Sequence, residues 1–170
     1  MTAAPAAATT PVIPTLPVTD DTVLAPVDGA IKAITDVPDE TFAAKILGDG
    51  FAVMPTSSRI VAPVSGTVTT VAQAKHAVGI TTKAGLEVLV HIGVDTVQLG
   101  GSPFTMLVKE GQKVAAGEPI VDVDWSTVKA AGKPTDVIVV FTNPAIINDL
   151  SITATGAIAT GSPIGTITTK

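Results

Sequence analysis

The 170-residue sequence contains no cysteine and no tyrosine, and only one tryptophan and four phenylalanines. The absence of cysteine excludes disulfides, thiolate metal ligands and thiol catalysis. Because aromatic residues are scarce, the core must be built mainly from Val, Ile, Leu and Ala. Ten basic residues stand against fifteen acidic ones, and the resulting formal charge of −5 argues against a nucleic-acid-binding surface.

The sequence also lacks any apolar run long enough to cross a bilayer. Its N-terminus has no basic region of the kind that begins a secretory signal, and Pro11, Pro14 and Pro17 interrupt the apolar residues there. We therefore expect a cytoplasmic protein with no direct membrane insertion. Residues 1–20 are mostly Ala, Thr and Pro and predict a flexible arm or linker, whereas residues 21–170 are predicted to form one folded domain.

Fifteen glycines and thirteen prolines are spread along the chain, which favours many short strands over long helices. Residues 23–31 and 60–68 repeat one pattern: a short apolar strand, a Pro-x-x-Gly turn and another strand. A short helix is predicted after Pro38, another over residues 126–131, and a strand over residues 96–99. The pattern predicts an all-β protein, an antiparallel β-sandwich or barrel with one or two short helices.

The two histidines, His76 and His91, are predicted to lie in two strands of one hairpin. If the turn is centred between Lys83 and Ala84, His76 stands directly opposite His91 on the same face of the sheet. The two imidazole rings would then converge. A turn displaced by one residue, or a bulge, would separate them in this scheme.

Several kinds of chemistry use a pair of imidazoles. A histidine in an apolar strand is usually a core residue, but two facing histidines suppress each other's protonation at a cost in stability. A zinc site needs further ligands, and Asp95 is about 13 Å from His91 along an extended strand unless the chain bends at Gly93. The sequence lacks the Gly-x-Ser-x-Gly motif that would support a serine hydrolase. A covalent phosphohistidine, with the second imidazole stabilising the phosphoryl oxygens, uses both rings and no metal.

The order and spacing of several motifs make the chain similar to a known family from about Val23 to the C-terminus. The motifs are Ala25-Pro26-x-x-Gly29, Asp36-Val37-Pro38-Asp39, Phe42-Ala43-x-Lys45, Gly48-Asp49-Gly50, Pro55-Thr56, Val61-Ala62-Pro63-Val64-x-Gly66-Thr67, Lys75-His76-Ala77 and Val90-His91-x-Gly93-x-Asp95-Thr96-Val97. With these motifs the chain resembles the IIA component of the glucose family of the bacterial phosphoenolpyruvate-dependent sugar phosphotransferase system. The resemblance implies a barrel-sandwich hybrid fold.

The resemblance implies a role for each site residue. His91 matches the phosphorylated histidine, and His76 matches the partner that stabilises the phosphoryl group during transfer. Asp39 and Asp95 match carboxylates at the rim that help to orient a basic donor, and Phe42 matches part of an apolar collar. The implied donor is the phosphohistidine carrier protein HPr, and the implied acceptor is a cysteine of a IIB domain or of a IICB sugar permease.

The resemblance implies no required cofactor or resident metal. Family members can also bind permeases or kinases and inhibit them when unphosphorylated, sometimes through a zinc ion shared between the two molecules. A phosphorylation-dependent regulatory binding protein is therefore one alternative function, with His76 and His91 as the zinc ligands from this chain. The sequence departs from the family at Ala74, where a threonine hydroxyl commonly bonds an imidazole. Residues 72, 78 and 92 are Ala, Val and Ile where Phe is common, so the collar is more aliphatic.

A biotinyl- or lipoyl-type carrier domain is the other alternative. The Pro-x-x-Gly turns and the glycine-flanked residues 110–117 are similar to that β-sandwich family. Such a domain presents one lysine at a hairpin tip, where this sequence has Lys83. Lys83 lacks the usual neighbouring methionine, however, and this alternative explains neither histidine.

Overall fold

The computed structural model describes residues 22–169, so the arm predicted for residues 1–20 lies outside the described residues. The described part contains fourteen strands and two short α-helices. The strands are β1 (Thr22–Leu24), β2 (Gly29–Ala33), β3 (Asp49–Pro55), β4 (Arg59–Val61), β5 (Gly66–Val71), β6 (Ala77–Thr81), β7 (Glu87–Ile92), β8 (Phe104–Met106), β9 (Lys113–Val114), β10 (Pro119–Val123), β11 (Val137–Phe141), β12 (Ile147–Ile152), β13 (Ala157–Ile158) and β14 (Pro163–Thr169). The helices are α1 (Glu40–Ala43) and α2 (Trp125–Ala130), and 3-10 turns cover Ile34–Asp36, Thr96–Leu99 and Pro144–Ile146.

The strands form three sheets in which every pairing is antiparallel. The large sheet has the order β13-β2-β3-β11-β7-β6-β5-β9, and two three-stranded sheets have the orders β1-β14-β12 and β4-β10-β8. One cluster of buried side chains receives residues from all three sheets. The predicted all-β antiparallel sandwich with short helices is confirmed.

Strand β11 lies between β3 and β7 in the large sheet, and all five of its residues are buried. Its side chains alternate between two cores, as the pleat of a strand requires. Val137, Val139 and Phe141 join the main core. Ile138 and Val140 join a smaller cluster on the other face of the sheet. That second face carries the histidine site, since Ile138 pairs directly with His91.

The predicted helices are present, but the strand predicted over residues 96–99 is wrong. This segment is a 3-10 turn, because Asp95 and Gly100 at its two ends have left-handed φ values of 59° and 62° and cannot continue an extended ladder. The helix α2 is capped by the side chain of Asp124, which accepts a hydrogen bond from the Thr127 backbone. None of the described helices combines the length and the apolar character that spanning a bilayer requires.

Candidate active site

The hairpin that carries the histidines has a register one residue away from the predicted one. In the structure Ala77 stands opposite His91, so the prediction that His76 directly opposes His91 is wrong. The turn is longer than expected because the Thr82 N–H donates to the Leu86 carbonyl at 2.8 Å, which closes a three-residue loop. Gly85, with φ of 92°, supplies the left-handed position that such loops use.

The two imidazole rings nevertheless meet. Their centroids lie 5.0 Å apart, and their planes are nearly perpendicular at 83°. His76 precedes β6 instead of belonging to it, and it follows Lys75, whose φ of 62° is left-handed. The alternation of side chains in a regular strand therefore does not fix the direction of His76. The backbone leaves the extended conformation at Lys75, directly before His76. The His76 ring lies against that of His91, although strict alternation from Ala77 would place it on the opposite face.

The tautomer of His91 follows from one hydrogen bond. Its Nδ1 lies 2.8 Å from the Gly93 carbonyl oxygen, and because a carbonyl only accepts, Nδ1 carries the proton. The lone pair is then on Nε2. Gly93 adopts φ of 75°, and a Cβ at this position would lie 2.4 Å from Cγ2 of Thr96. The buried Thr96 hydroxyl donates to the Ile92 carbonyl, which secures the same loop.

The surroundings of His91 hold its ring neutral. Burial is the main cause and the neighbouring His76 adds to it, so that the pKa of His91 falls from 6.5 to about 4. The Gly93 carbonyl and the carboxylates of Asp39 and Asp95 act in the opposite direction on this pKa and raise it. At neutral pH the Nε2 lone pair is therefore available to an electrophile.

We expect the His91 ring to titrate near pH 4 in an NMR pH series. The folded-state pKa lies below the unfolded value, so the unfolded chain binds more protons between the two. Folding stability should therefore fall by about 3 kcal/mol as the pH drops from 6.5 to about 4. The variant His91→Gln assigns the signal, since only two histidines are present, and should lack most of this decline. Titration of His91 near its ordinary value would contradict the buried, neutral ring.

Three of the residues predicted for the rim and collar lie around His91. The Phe42 ring centroid is 4.9 Å from that of His91, and Phe42 itself is buried in the smaller core. Asp39 is the N-cap of α1, with its side chain accepting from the Thr41 backbone at 2.9 Å. Asp95 is exposed and close enough for its charge to act on His91, because the chain bends at Gly93. The structure thus brings the predicted site residues together.

His76 is half-buried and less constrained than His91. Burial lowers its pKa. Among the described residues, none provides a hydrogen-bond partner for the buried Nδ1 of His76. The side chain of Ala74 has no hydroxyl to offer. Unlike His91, His76 therefore has no bond in the structure that selects one tautomer.

Sequence reasoning assigned no role to the backbone carbonyl of Gly93 or to the hydroxyl of Thr96. The spacing His-x-Gly followed by Asp-Thr was visible, but a carbonyl leaves no signal of its own in a sequence. Over residues 22–169, the structure has no group of three or more His, Cys, Asp and Glu side chains that could hold a metal ion.

Known proteins match the chain over most of its length. Residues 21–147 match the family model described as phosphoenolpyruvate-dependent sugar phosphotransferase system, EIIA 1. The chain is 51% identical over 140 residues to the glucose-specific EIICBA component of Streptococcus pneumoniae, covering 82% of this chain and 19% of that protein. It is 48% identical over 124 residues to the glucose-specific EIIA component of Halalkalibacterium halodurans, covering 73% of this chain and 72% of that one.

A solved structure is similar as well. The glucose permease IIA from Mycoplasma capricolum matches with a TM-score of 0.78 and 41% identity, over 85% of this chain and 94% of that one. The chain spans about a fifth of the length of the Streptococcus relative, so it corresponds to one part of that protein. The matched model covers most of the described residues, including both histidines. The chain therefore belongs to the EIIA 1 family of the phosphoenolpyruvate-dependent sugar phosphotransferase system, which makes it a phosphotransfer component of that system.

Proposed function

We propose that the chain accepts a phosphoryl group on Nε2 of His91 from phospho-HPr and passes it to a cysteine of a IIB domain. One observation carries this proposal: the Gly93 carbonyl engages Nδ1, so the lone pair of His91 is on Nε2. In the transfer a bond forms between Nε2 and phosphorus as the bond between phosphorus and the donor nitrogen breaks. The proton on Nδ1 stays in its hydrogen bond to Gly93, and no oxidation or reduction occurs.

His76 is the group placed to stabilise the moving phosphoryl group. Its ring lies edge to face with that of His91 at a centroid distance of 5.0 Å. A phosphoryl group on Nε2 brings negative oxygen atoms next to the neighbouring ring. An N–H of His76 can donate to those oxygens, and this interaction strengthens as charge shifts during transfer.

The surface around the site suits a protein partner. Ile46 and Val97 are exposed large apolar residues, at 70% and 51% of their full accessibility, and Leu47 is exposed at 40%. Ile46 and Leu47 follow α1, which carries Phe42, and Val97 follows Asp95. An apolar surface beside two rim carboxylates fits a partner with its own apolar patch and basic residues, which the carboxylates would steer.

The relatives support the choice of acceptor. In Streptococcus pneumoniae a single protein bears the name EIICBA component, and in Bacillus subtilis a relative bears the name EIIBCA component. We infer that a IIB domain, alone or within a IICB permease, receives the phosphoryl group from this chain. The sugar is selected by that partner, and the relatives are named for glucose, β-glucosides and N-acetylglucosamine.

The remaining expectations follow from this function. Phosphoryl transfer between protein side chains needs no cofactor, and we place the chain in the cytoplasm, where its phosphoryl donor would be. A zinc ion would require ligands from a regulatory partner beyond His76 and His91. The biotinyl- or lipoyl-type alternative has no support in the histidine geometry, although Lys83 does lie in the hairpin loop.

The proposed function is tested by incubating the chain with phosphoenolpyruvate, enzyme I and HPr. The expected result is one added phosphoryl group, labile in acid and located at His91 by fragment mass spectrometry. A stable acyl adduct on Lys83 in cells would instead support the carrier alternative. No phosphoryl group on any histidine would overturn the proposal.

The variant His76→Ala should still accept a phosphoryl group from HPr but deliver it more slowly to IIB. Loss of one hydrogen bond to the developing charge is expected to slow delivery by about 10²–10³-fold. Separate single-turnover measurements of loading and delivery check this. His76→Gln, whose amide can still donate, is the matched control and should retain more of the delivery rate. Equal delivery by wild type and His76→Ala would remove His76 from the mechanism.

A further inference from the structure

One ion pair lies close to the histidine site and has no part in the proposed transfer. Nζ of Lys32, on β2, lies 2.6 Å from Oδ2 of Asp136, and the Asp136 side chain is only 2% exposed. The Asp136 carboxylate is buried, whereas the Lys32 side chain remains 24% exposed. Burying a charge is costly, and replacement of a buried ion pair by apolar residues is often neutral or stabilising. Stability alone therefore gives no reason for this pair.

The position of Asp136 relates it to the phospho-acceptor. Asp136 immediately precedes β11, and Ile138 of that strand pairs with His91 on the adjacent strand β7. Asp136 is therefore a diagonal neighbour of His91. Its backbone carbonyl accepts a hydrogen bond from the Gly93 N–H at 2.7 Å. Gly93 thus uses its N–H on Asp136 and its carbonyl on the His91 ring.

The loop after His91 depends on the segment that contains Asp136. The Val94 N–H donates to the Pro134 carbonyl at 3.2 Å, so residues 134–136 supply acceptors to two consecutive loop residues. The loop itself has left-handed residues at Gly93 and Asp95. A displacement of residues 134–136 would therefore move the Gly93 carbonyl relative to Nδ1 of His91.

The ion pair attaches this segment to a strand further along the sheet. The register runs from Lys32 to Ala52 on β3, to Ile138 on β11 and to His91 on β7. The Lys32 side chain crosses β3 to reach Asp136, and its Nζ also lies 3.7 Å from Sδ of Met54 on that strand. The ion pair thereby links β2 to the residue that precedes β11, across the intervening strand.

We propose that the Lys32–Asp136 ion pair positions the phospho-acceptor, by holding residues 134–136 where the Gly93 carbonyl meets Nδ1 of His91. The pair thereby keeps the His91 proton on Nδ1 and the lone pair on Nε2. Lys32 and Asp136 are positioning residues, since neither touches the phosphoryl group. This inference rests on the proposed function only for its effect on transfer, because the tautomer of His91 can be measured without any transfer.

The test combines ring spectroscopy with loading kinetics. Long-range ¹H–¹⁵N correlation spectra of the wild type should show His91 as the Nδ1–H tautomer alone. Asp136→Asn should give a mixture of tautomers and slow loading from phospho-HPr by about tenfold, the range seen when a positioning contact is lost. Lys32→Arg keeps the charge and should preserve both the tautomer and the rate.

Matched controls separate positioning from general stability. Asp122→Asn breaks an exposed ion pair on another sheet, in which Arg59 lies 2.8 Å from Asp122. This variant should change neither the tautomer of His91 nor the loading rate. If Asp136→Asn does not fold, the double variant Lys32→Met/Asp136→Leu removes both charges without leaving one unpaired, and it should show the same mixed tautomers. Native ring signals and loading rate in either of these variants would overturn the proposal, whatever their melting temperatures. A wild type that accepts no phosphoryl group would overturn the proposed function instead, and the tautomers would still decide this inference.

Discussion

Replacement of His91 by alanine is expected to abolish phosphoryl acceptance, with a loss of at least about a thousandfold in loading rate. The Nε2 lone pair of His91 is the proposed nucleophile, and alanine has no group that can replace it. The measurement is the intact mass of the protein after incubation with phosphoenolpyruvate, enzyme I and HPr. His91→Gln should behave in the same way while filling more of the space beside Phe42.

The control for this result is His76→Ala in the same loading assay. It should carry one phosphoryl group at the end of the incubation, because His76 acts on the transferred group and not as its covalent carrier. Circular dichroism of both alanine variants checks that each is folded. If His91→Ala became phosphorylated while His76→Ala did not, the two roles would be exchanged.

Patterns with a local physical cause could be predicted from the sequence. Residues 137–141 form a continuous apolar run, which is typical of a strand, and they are β11, with all five residues buried. The repeated Pro-x-x-Gly pattern predicted two strand–turn–strand units, which are β1 with β2 and β4 with β5. Asp39 at the start of a helix predicted a short α1 that the same residue caps.

The meeting of the two histidines was predicted correctly from a wrong register. The hairpin loop has three residues because Gly85 adopts a left-handed conformation, which shifts every pair of β6 and β7 by one position. The shift alone would have separated the rings. The rings are nevertheless in contact, and the chain leaves the extended conformation at Lys75, directly before His76. A positive φ is uncommon for a lysine, so the residue type at position 75 does not predict this conformation.

The contacts that position the loop after His91 from other strands could not be predicted, because the residues that make them are distant in the sequence. Pro134 meets Gly93 from about forty residues later, and Lys32 meets Asp136 from a strand about a hundred residues earlier. Their proximity depends on the order of strands in the large sheet. A sequence pattern specifies which face a residue occupies, but it does not specify which strand lies beside it.

The variant Gly93→Ala should lose about 3–4 kcal/mol of folding stability and much of its loading activity. About 1–2 kcal/mol is the cost of a left-handed φ of 75° for a residue with a Cβ. The rest is overpacking, since the new Cβ would lie 2.4 Å from Cγ2 of Thr96 and 3.1 Å from the Pro134 carbonyl oxygen. Relief of that contact requires the loop to move, and the Gly93 carbonyl would then leave Nδ1 of His91. Urea unfolding and the loading assay measure the two effects.

Gly85→Ala is the matched control, because it separates backbone strain from contact. Gly85 has an equally left-handed φ of 92°, but a Cβ there would meet no atom within 4 Å. It should lose only the 1–2 kcal/mol of backbone strain and load at the wild-type rate. The difference in stability between the two variants then measures how tightly Thr96 and Pro134 enclose Gly93. Equal stability losses would mean that the loop yields easily, and unchanged loading by Gly93→Ala would mean that the carbonyl need not be held in place for His91 to react.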